Sequence, residues 1–255
     1  MPAKQTSCTL KPSTKPPLIL VHGYRGAPQG LAQVADYLKQ AGYEVHCPAI
    51  PPFAGAKPLT TYSSNSYADF LAHYIREHRL NRPVLIGHSM GSIIVAATAN
   101  MYAELVSSRL ILLSPISART PRFASFFAPL TGLASPKLID YITTHYLFVK
   151  ESGANLSQVL SVTNSCSNDH TPSRSELKKA TFFSTHYTVS DFSLLQKVLI
   201  IAGKKDRLIK KSATIKLAQN LDAKLVLLPR TGHLHNYEKP QETADAIIDF
   251  LNHSA

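Results

Sequence analysis

A serine stands between two glycines in Gly87-His88-Ser89-Met90-Gly91, where an apolar run, "PVLIG", passes into a segment of helical character, "MGSIIVAATANMYAEL". A serine hydroxyl is a weak nucleophile. It needs an adjacent base, and it must stand clear of the backbone so that a carbonyl can reach it. A sharp strand-to-helix turn meets the second need, provided small residues let strand and helix approach, and Gly87 and Gly91 are small. Such a turn also puts the serine at a helix N-terminus, whose free N–H groups favour developing negative charge. Three more polar features close apolar runs: "LILVHG" ends at Tyr24, "LIIAG" runs to Asp206, and "LVLLP" runs through Arg230-Thr231-Gly232 to His233. In open parallel sheets, ligands bind outside the carboxyl ends of the strands. The four features therefore converge on one sheet edge.

The elements that must position them follow from the apolar pattern. "PLILVHGY", "YEVHCPAI", "RPVLIGHS", "SRLILLSPI", "KVLIIAGKKD" and "AKLVLLPRTGH" read as strands, mostly continuous apolar runs suited to burial on both faces. Helices fall between them. In "GLAQVADYLKQAG", Leu31, Val34, Ala35 and Leu38 share one face and Gly42 marks the stop. "YADFLAHYIREHRL", "KKSATIKLAQNL" and "PQETADAIIDFLNH" are further helices, the last with Pro240 at its start. Strand and helix alternate, so the expected fold is α/β: a doubly wound, mostly parallel sheet with helices on both faces. The alternation lapses over residues 115–190. An inserted, largely helical cap is expected there, with helices around "SPKLIDYITTHYLF" and "SRSELKKATFFSTH", the second opened by a capping box of Ser173 and Glu176. Residues 1–16 read as a flexible leader, and 17–114 with 191–255 as the core.

"GHSMG" is similar to the G-x-S-x-G nucleophile elbow of the α/β-hydrolase superfamily. "HGY" resembles that superfamily's oxyanion loop, "GKKDRLI" its acid segment and "TGHLHNYEKP" its histidine segment, in the same chain order. The resemblance spans residues 17–253 and implies roles by position. Ser89 would be the nucleophile, His233 the base, and Asp206 the acid that orients it. Backbone N–H groups of Tyr24 and Met90 would form the oxyanion hole, with His22, Gly23, Gly87 and Gly91 as structural support.

Rival assignments are visible in the same sequence. Asp206 also suits a helix N-cap. Asp191, ahead of the next strand, and Glu238, soon after His233, are other acids that could compete, but neither closes an apolar strand. His235 reads as a surface residue or a pocket wall, and His88 as a packing or hydrogen-bonding residue. Within the insertion, Phe123, Phe126, Phe127, Tyr141, Tyr146, Phe148, Phe182, Phe183 and Tyr187 could line an apolar pocket or pack the insertion onto the sheet. Arg119 and Arg122 could meet an anionic substrate group or face solvent.

Composition bounds the remaining classes. With 255 residues, 44% hydrophobic and 17% charged, the chain suits one large globular domain. The net charge is +11, but the basic residues are scattered, the densest runs being pairs such as Lys204-Lys205 and Lys210-Lys211. Nucleic-acid binding is therefore not expected, while contact with anionic surfaces suits the charge. The three cysteines, Cys8, Cys47 and Cys166, form no C-x-x-C pair, and the 11 histidines form no H-x-x-x-H pair. Neither a disulfide framework nor a metal site is expected, and no cofactor is called for. No apolar segment is long enough for a signal or membrane span, so the expected location is cytoplasmic. The sum is a serine hydrolase that cleaves carboxylic esters of small to medium, partly apolar substrates through an acyl-enzyme. The same triad could serve thioester, amide or carbon–carbon hydrolysis, or the scaffold could only bind ligands.

Overall fold

The computed structural model describes residues 15–117, 141, 143–152, 154–165 and 172–253. Residues 1–14 of the expected leader, Cys8, Cys166, Arg119, Arg122, Phe123, Phe126 and Phe127 lie outside them.

Six parallel strands form one sheet: β1 (Leu18–Val21), β2 (Val45–His46), β3 (Val84–His88), β4 (Arg109–Leu113), β5 (Lys197–Gly203) and β6 (Lys224–Leu228), in the order β2-β1-β3-β4-β5-β6. The connecting helices are α1 (Ala32–Gln40), α2 (Ser64–Glu77), α3 (Met90–Met101), α4 (Leu156–Ser165), α5 (Arg174–His186), α6 (Lys211–Asn220), the short α7 (His235–Glu238) and α8 (Pro240–His253). The strand alternation explains the layering. Leu18, Leu20, Val84, Ile86, Ile111, Leu113, Leu199 and Ile201 face α1 and α8 in one core. Ile19, Val21, Leu85, Leu110, Leu112, Val198 and Ile200 face α2, α3 and α6 in the other. Both faces are covered, so the central strands are apolar throughout.

The edge strand β2 is shorter than its sequence suggests. It pairs with β1 only at Leu18↔Val45 and Ile19↔His46. Pro48, Pro51 and Pro52 follow, and a proline has no N–H to extend a ladder. Chain order reverses between β1 and β3: β1 leads outward to β2, and β2 leads back across β1 to β3. That reversal opens a crevice between the carboxyl ends of β1 and β3, where His22-Gly23-Tyr24 and His88-Ser89 lie.

The insertion between β4 and β5 is helical where it is described. Thr143–Leu147 form a single π-helical turn within the segment expected as a helix. The α5 capping box is present: Glu176 N–H donates to Ser173 Oγ at 3.3 Å, and Ser173 N–H donates to the Glu176 carboxylate at 2.6 Å. Ala180 and Phe183 of α5 join the sheet core, with the Phe183 ring tilted 44° to that of Tyr67 at 4.6 Å, whereas Phe182 is exposed. Helix α4 has no counterpart in the sequence reading. Its segment, "LSQVLSVTNS", lacks acidic residues in its first turn, and the asparagine before it, Asn155, accepts Ser157 N–H at 3.0 Å. Among the described residues no helix is long and apolar enough to cross a membrane.

Candidate active site

Ser89 sits between β3 and α3 with φ +53° and ψ −118°, a conformation that non-glycine residues rarely hold. The neighbouring backbone is fixed. Ser89 N–H donates to Leu113 O at 2.9 Å on the adjacent strand. Ser89 O accepts from Ser92 N–H at 2.9 Å and from Ser92 Oγ–H at 2.5 Å. Ser92 Oγ in turn accepts from Ile116 N–H at 3.2 Å, where the chain leaves β4. Ser89 alone in Val84–Val95 is partly exposed, while its neighbours are buried. The flanking glycines owe their size to close approach. A Cβ on Gly87 would fall on the Gly91 carbonyl, and one on Gly91 would fall on the Val21 carbonyl. Gly23 faces Ser89 across the crevice; its added Cβ would stand 3.0 Å from Ser89 Cβ.

Met90 opens α3, whose first N–H groups have no intrahelical acceptor. Tyr24 follows Gly23 in a turn closed by Gly26 N–H to Gly23 O at 3.0 Å. Buried His22 holds this loop: Nδ1–H donates to Gly23 O at 2.9 Å, and Nε2 accepts from Ile50 N–H at 2.9 Å. Burial, only partly offset by the Gly23 carbonyl, lowers the imidazole to about 4, so it is neutral near pH 7. The Tyr24 ring packs edge-on to Phe53 at 5.2 Å, and its hydroxyl reaches Thr181 Oγ1 of α5 at 2.7 Å. Thr181 donates to Leu177 O at 2.7 Å, which leaves Tyr24 as the donor to Thr181.

Asp206 lies beyond β5 and His233 beyond β6. His233 Nδ1 and Asp206 Oδ2 are 2.8 Å apart, with both side chains almost fully buried. The carboxylate accepts the Nδ1 proton, so the neutral ring keeps Nε2 as its free acceptor. The other carboxylate oxygen accepts Leu208 N–H at 2.8 Å and Ile209 N–H at 2.9 Å. Burial alone would raise this carboxyl. The His233 imidazole and the two amides outweigh burial and hold it below the usual range. The N-cap reading of Asp206 is thus only partly met: it satisfies the turn before α6, while Lys210 occupies the cap itself.

The serine turn and the histidine loop touch directly. His88 Nε2–H donates to the His233 carbonyl at 3.0 Å, and the two rings lie 5.2 Å apart. Burial, reinforced by neighbouring His233, lowers His88 to about 3, so it is a neutral brace. Five of the sequence-selected positions, His22, Gly23, Ser89, Asp206 and His233, thereby meet at the carboxyl edge of β1, β3, β5 and β6.

The rivals fall elsewhere. Asp191 caps a short turn, accepting Thr188 N–H at 2.8 Å. His235 is neither on the surface nor free: it is fully buried, with Nδ1 bonded to Thr243 Oγ1 at 3.1 Å, because α7 turns its ring inward under α8. Cys47 is no competing nucleophile, since burial, only partly offset by Lys39, pushes its thiol up to about 11. Among the described residues no group of histidines, cysteines and carboxylates could hold a metal ion. Two contacts escaped the sequence reading. Leu147 O, from the insertion, accepts His233 N–H at 2.9 Å, and Glu238 accepts Gly232 N–H at 2.9 Å. No local pattern marks either, because each joins residues through the fold.

Residues 18–246 match the family model of the alpha/beta hydrolase family. A curated relative, the 2-(acetamidomethylene)succinate hydrolase of Mesorhizobium japonicum, is 23% identical over 221 residues, covering 77% of this chain and 73% of the relative. A thermophilic esterase from Thermogutta terrifontis has a similar structure, with a TM-score of 0.80 and 20% identity, over 94% of this chain and 90% of that one. A bromoperoxidase from Bacillus anthracis gives 0.82 and 17%, over 94% and 93% of the two chains. At these identities the structural likenesses speak for the fold alone.

Proposed function

The chain belongs to the alpha/beta hydrolase family, and on that premise we propose that it is a serine hydrolase of small, partly apolar carboxylic esters. The observation that carries this reading is the strained turn at Ser89, φ +53°, braced through His88 against the loop whose imidazole is bonded to Asp206 at 2.8 Å. In this reading Ser89 Oγ attacks the ester carbonyl carbon while His233 Nε2 takes its proton. Asp206 holds the imidazole and stabilises its cationic form. The Tyr24 and Met90 N–H groups receive the charge on the tetrahedral oxygen. Collapse expels the alcohol, which takes the proton from His233, and leaves an acyl-Ser89 ester. Water, deprotonated by His233, then attacks that ester, and the acid leaves as Ser89 regains its proton.

Turnover of a p-nitrophenyl short-chain ester by Ser89→Ala tests the assignment. We expect loss of activity with an unchanged circular-dichroism spectrum; activity retained in that variant would sink it. A second reading keeps Ser89 and changes the bond. It is favoured by the curated relative, whose name gives 2-(acetamidomethylene)succinate as its substrate. A panel of esters, thioesters, amides and carbon–carbon hydrolase substrates separates the two. Failure of a fluorophosphonate to label Ser89 in folded protein would instead favour a binding role.

A further inference from the structure

Glu238 is an acidic residue that the proposed chemistry leaves unused, yet it is only 4% exposed. Its Oε2 accepts the N–H of Gly232, the residue before His233, at 2.9 Å. Its Oε1 is buried without a hydrogen-bond partner. No cation pairs with it among the described residues. Burial pushes the carboxyl up to about 7, against the pull of the Gly232, Val149 and Leu234 amides, and the charge of Asp206 adds to the rise. A buried carboxyl with no cation beside it is a costly way to fill space, so its packing alone does not account for it.

Its surroundings suggest what it does. A Cβ on Gly232 would stand 2.7 Å from Leu147 O and 3.0 Å from Glu238 Oε1. The loop therefore runs in a slot, with the insertion on one side and this carboxyl on the other. Beyond the slot, His233 N–H and Leu234 N–H both donate to Leu147 O, at 2.9 and 3.3 Å, and His233 O accepts from His88. Glu238 itself is anchored by its own N–H to Leu234 O at 2.9 Å. The Gly232 amide is thus the backbone donor one residue before that of His233, and Glu238 is its acceptor.

We propose that Glu238 is a positioning residue for His233: by accepting the Gly232 N–H inside this slot it fixes the peptide that sets where the imidazole stands. This rests on the reading of His233 as the base. It differs from a packing role in one respect, that the acceptor atom matters and not the volume.

Three variants of the full chain test it: Glu238→Ala, Glu238→Gln and Glu238→Asp. The readouts are kcat and KM with a p-nitrophenyl ester, and the rate of fluorophosphonate labelling at Ser89. Glutamine keeps an acceptor within reach of Gly232 N–H; aspartate is one methylene too short. We expect Glu238→Ala and Glu238→Asp to lower kcat and the labelling rate by about tenfold to hundredfold, the scale of a small misplacement of a catalytic group. KM should stay within about twofold, as expected when only transition-state interactions are lost, and Glu238→Gln should recover most of the rate. Equal losses in Glu238→Gln and Glu238→Asp, or wild-type labelling by either truncated variant, would overturn the proposal. If Glu238→Ala fails to fold, the glutamine–aspartate comparison decides. Wild-type protein that does not label removes the hydrolase reading and this one with it. Wild-type protein that labels, with no difference between glutamine and aspartate, removes this one alone.

Discussion

Asp206 and the buried histidines carry opposite electrostatic loads. Asp206 is held below its usual range despite burial, because His233 and two amides favour its charged form. Asp206→Asn keeps the shape but offers His233 Nδ1 the wrong partner, which can stabilise the wrong tautomer. We expect kcat to fall by about 10⁴, the scale seen for this change in a serine triad, with Tm little changed; a loss of less than tenfold would remove Asp206 from the proposed machinery. The histidines act on stability. Burial brings His22 to about 4 and His88 to about 3, and lowers His235 well below its ordinary value. The unfolded chain titrates these rings near about 6.5, so between about pH 6.5 and the folded values the unfolded state binds more protons. Stability therefore falls as pH drops through this window, by up to about 1.4 kcal/mol per pH unit for each such ring, an effect that Glu238, raised to about 7, opposes in part. Asp206 loses its contribution only at lower pH, as pH falls through its depressed folded value. Urea unfolding at pH 7, 6 and 5 checks this, and an unchanged midpoint would contradict neutral burial of the rings.

At the level of elements, the strand ends must meet closely for the proposed triad to form. A Cβ on Gly203, the last residue of β5, would fall on the carbonyls of Thr231 and Gly232. These are backbone atoms that cannot rotate away, so Gly203→Ala must push the histidine loop off β5. A cost of about 1–3 kcal/mol is expected from such overpacking, with a loss of the proposed esterase activity. A variant as stable and active as the wild type would show that the loop has slack. The tether from Tyr24 to α5 is a second coupling between elements. Tyr24→Phe removes the 2.7 Å bond to Thr181 and leaves the backbone N–H in place. A several-fold change in preference among acyl chain lengths is expected, because α5 lies against the proposed oxyanion loop. An unchanged chain-length profile would make that contact merely structural.

The elements themselves were largely legible, since buried parallel strands are continuous apolar runs and β3, β4 and β5 follow them closely. The edge strand β2 was not, because apolar composition continues past the point where prolines end its ladder. Helix α4 was missed although Asn155 caps it, its Oδ1 accepting Ser157 N–H at 3.0 Å, because a lone asparagine in a polar stretch also suits a turn. For the candidate site, Ser89, Asp206 and His233 could be singled out because each follows an apolar run with a glycine within three positions. The inward turn of His235, the partner of His88 and the Glu238 acceptor could not, because each depends on how separate loops pack.

For the whole molecule, the charge balance bears on substrate choice. The chain carries +11, and one concentration of it lies at the proposed catalytic edge. Lys204, Lys205, Arg207, Lys210 and Lys211 are exposed around Asp206, whose own charge is engaged by His233. Arg207 also donates to His145 O at 2.7 Å, joining this loop to the insertion. Among the described residues the four lysines of this loop make no ion pair, so their field is not cancelled locally. A cationic rim near a cleft raises the encounter rate of anionic ligands and is screened by salt, with a Debye length of about 10 Å at 0.1 M. The expected signature is selective. For an ester bearing a free carboxylate, kcat/KM should fall several-fold as ionic strength rises from about 0.01 to 0.3 M. For a neutral ester of the same chain length it should stay flat. Lys204→Glu with Lys205→Glu should flatten the first slope without changing the second, because both side chains are exposed and neither belongs to the proposed catalytic machinery. Parallel salt dependence for the two esters would mean that the charge serves solubility and not substrate capture.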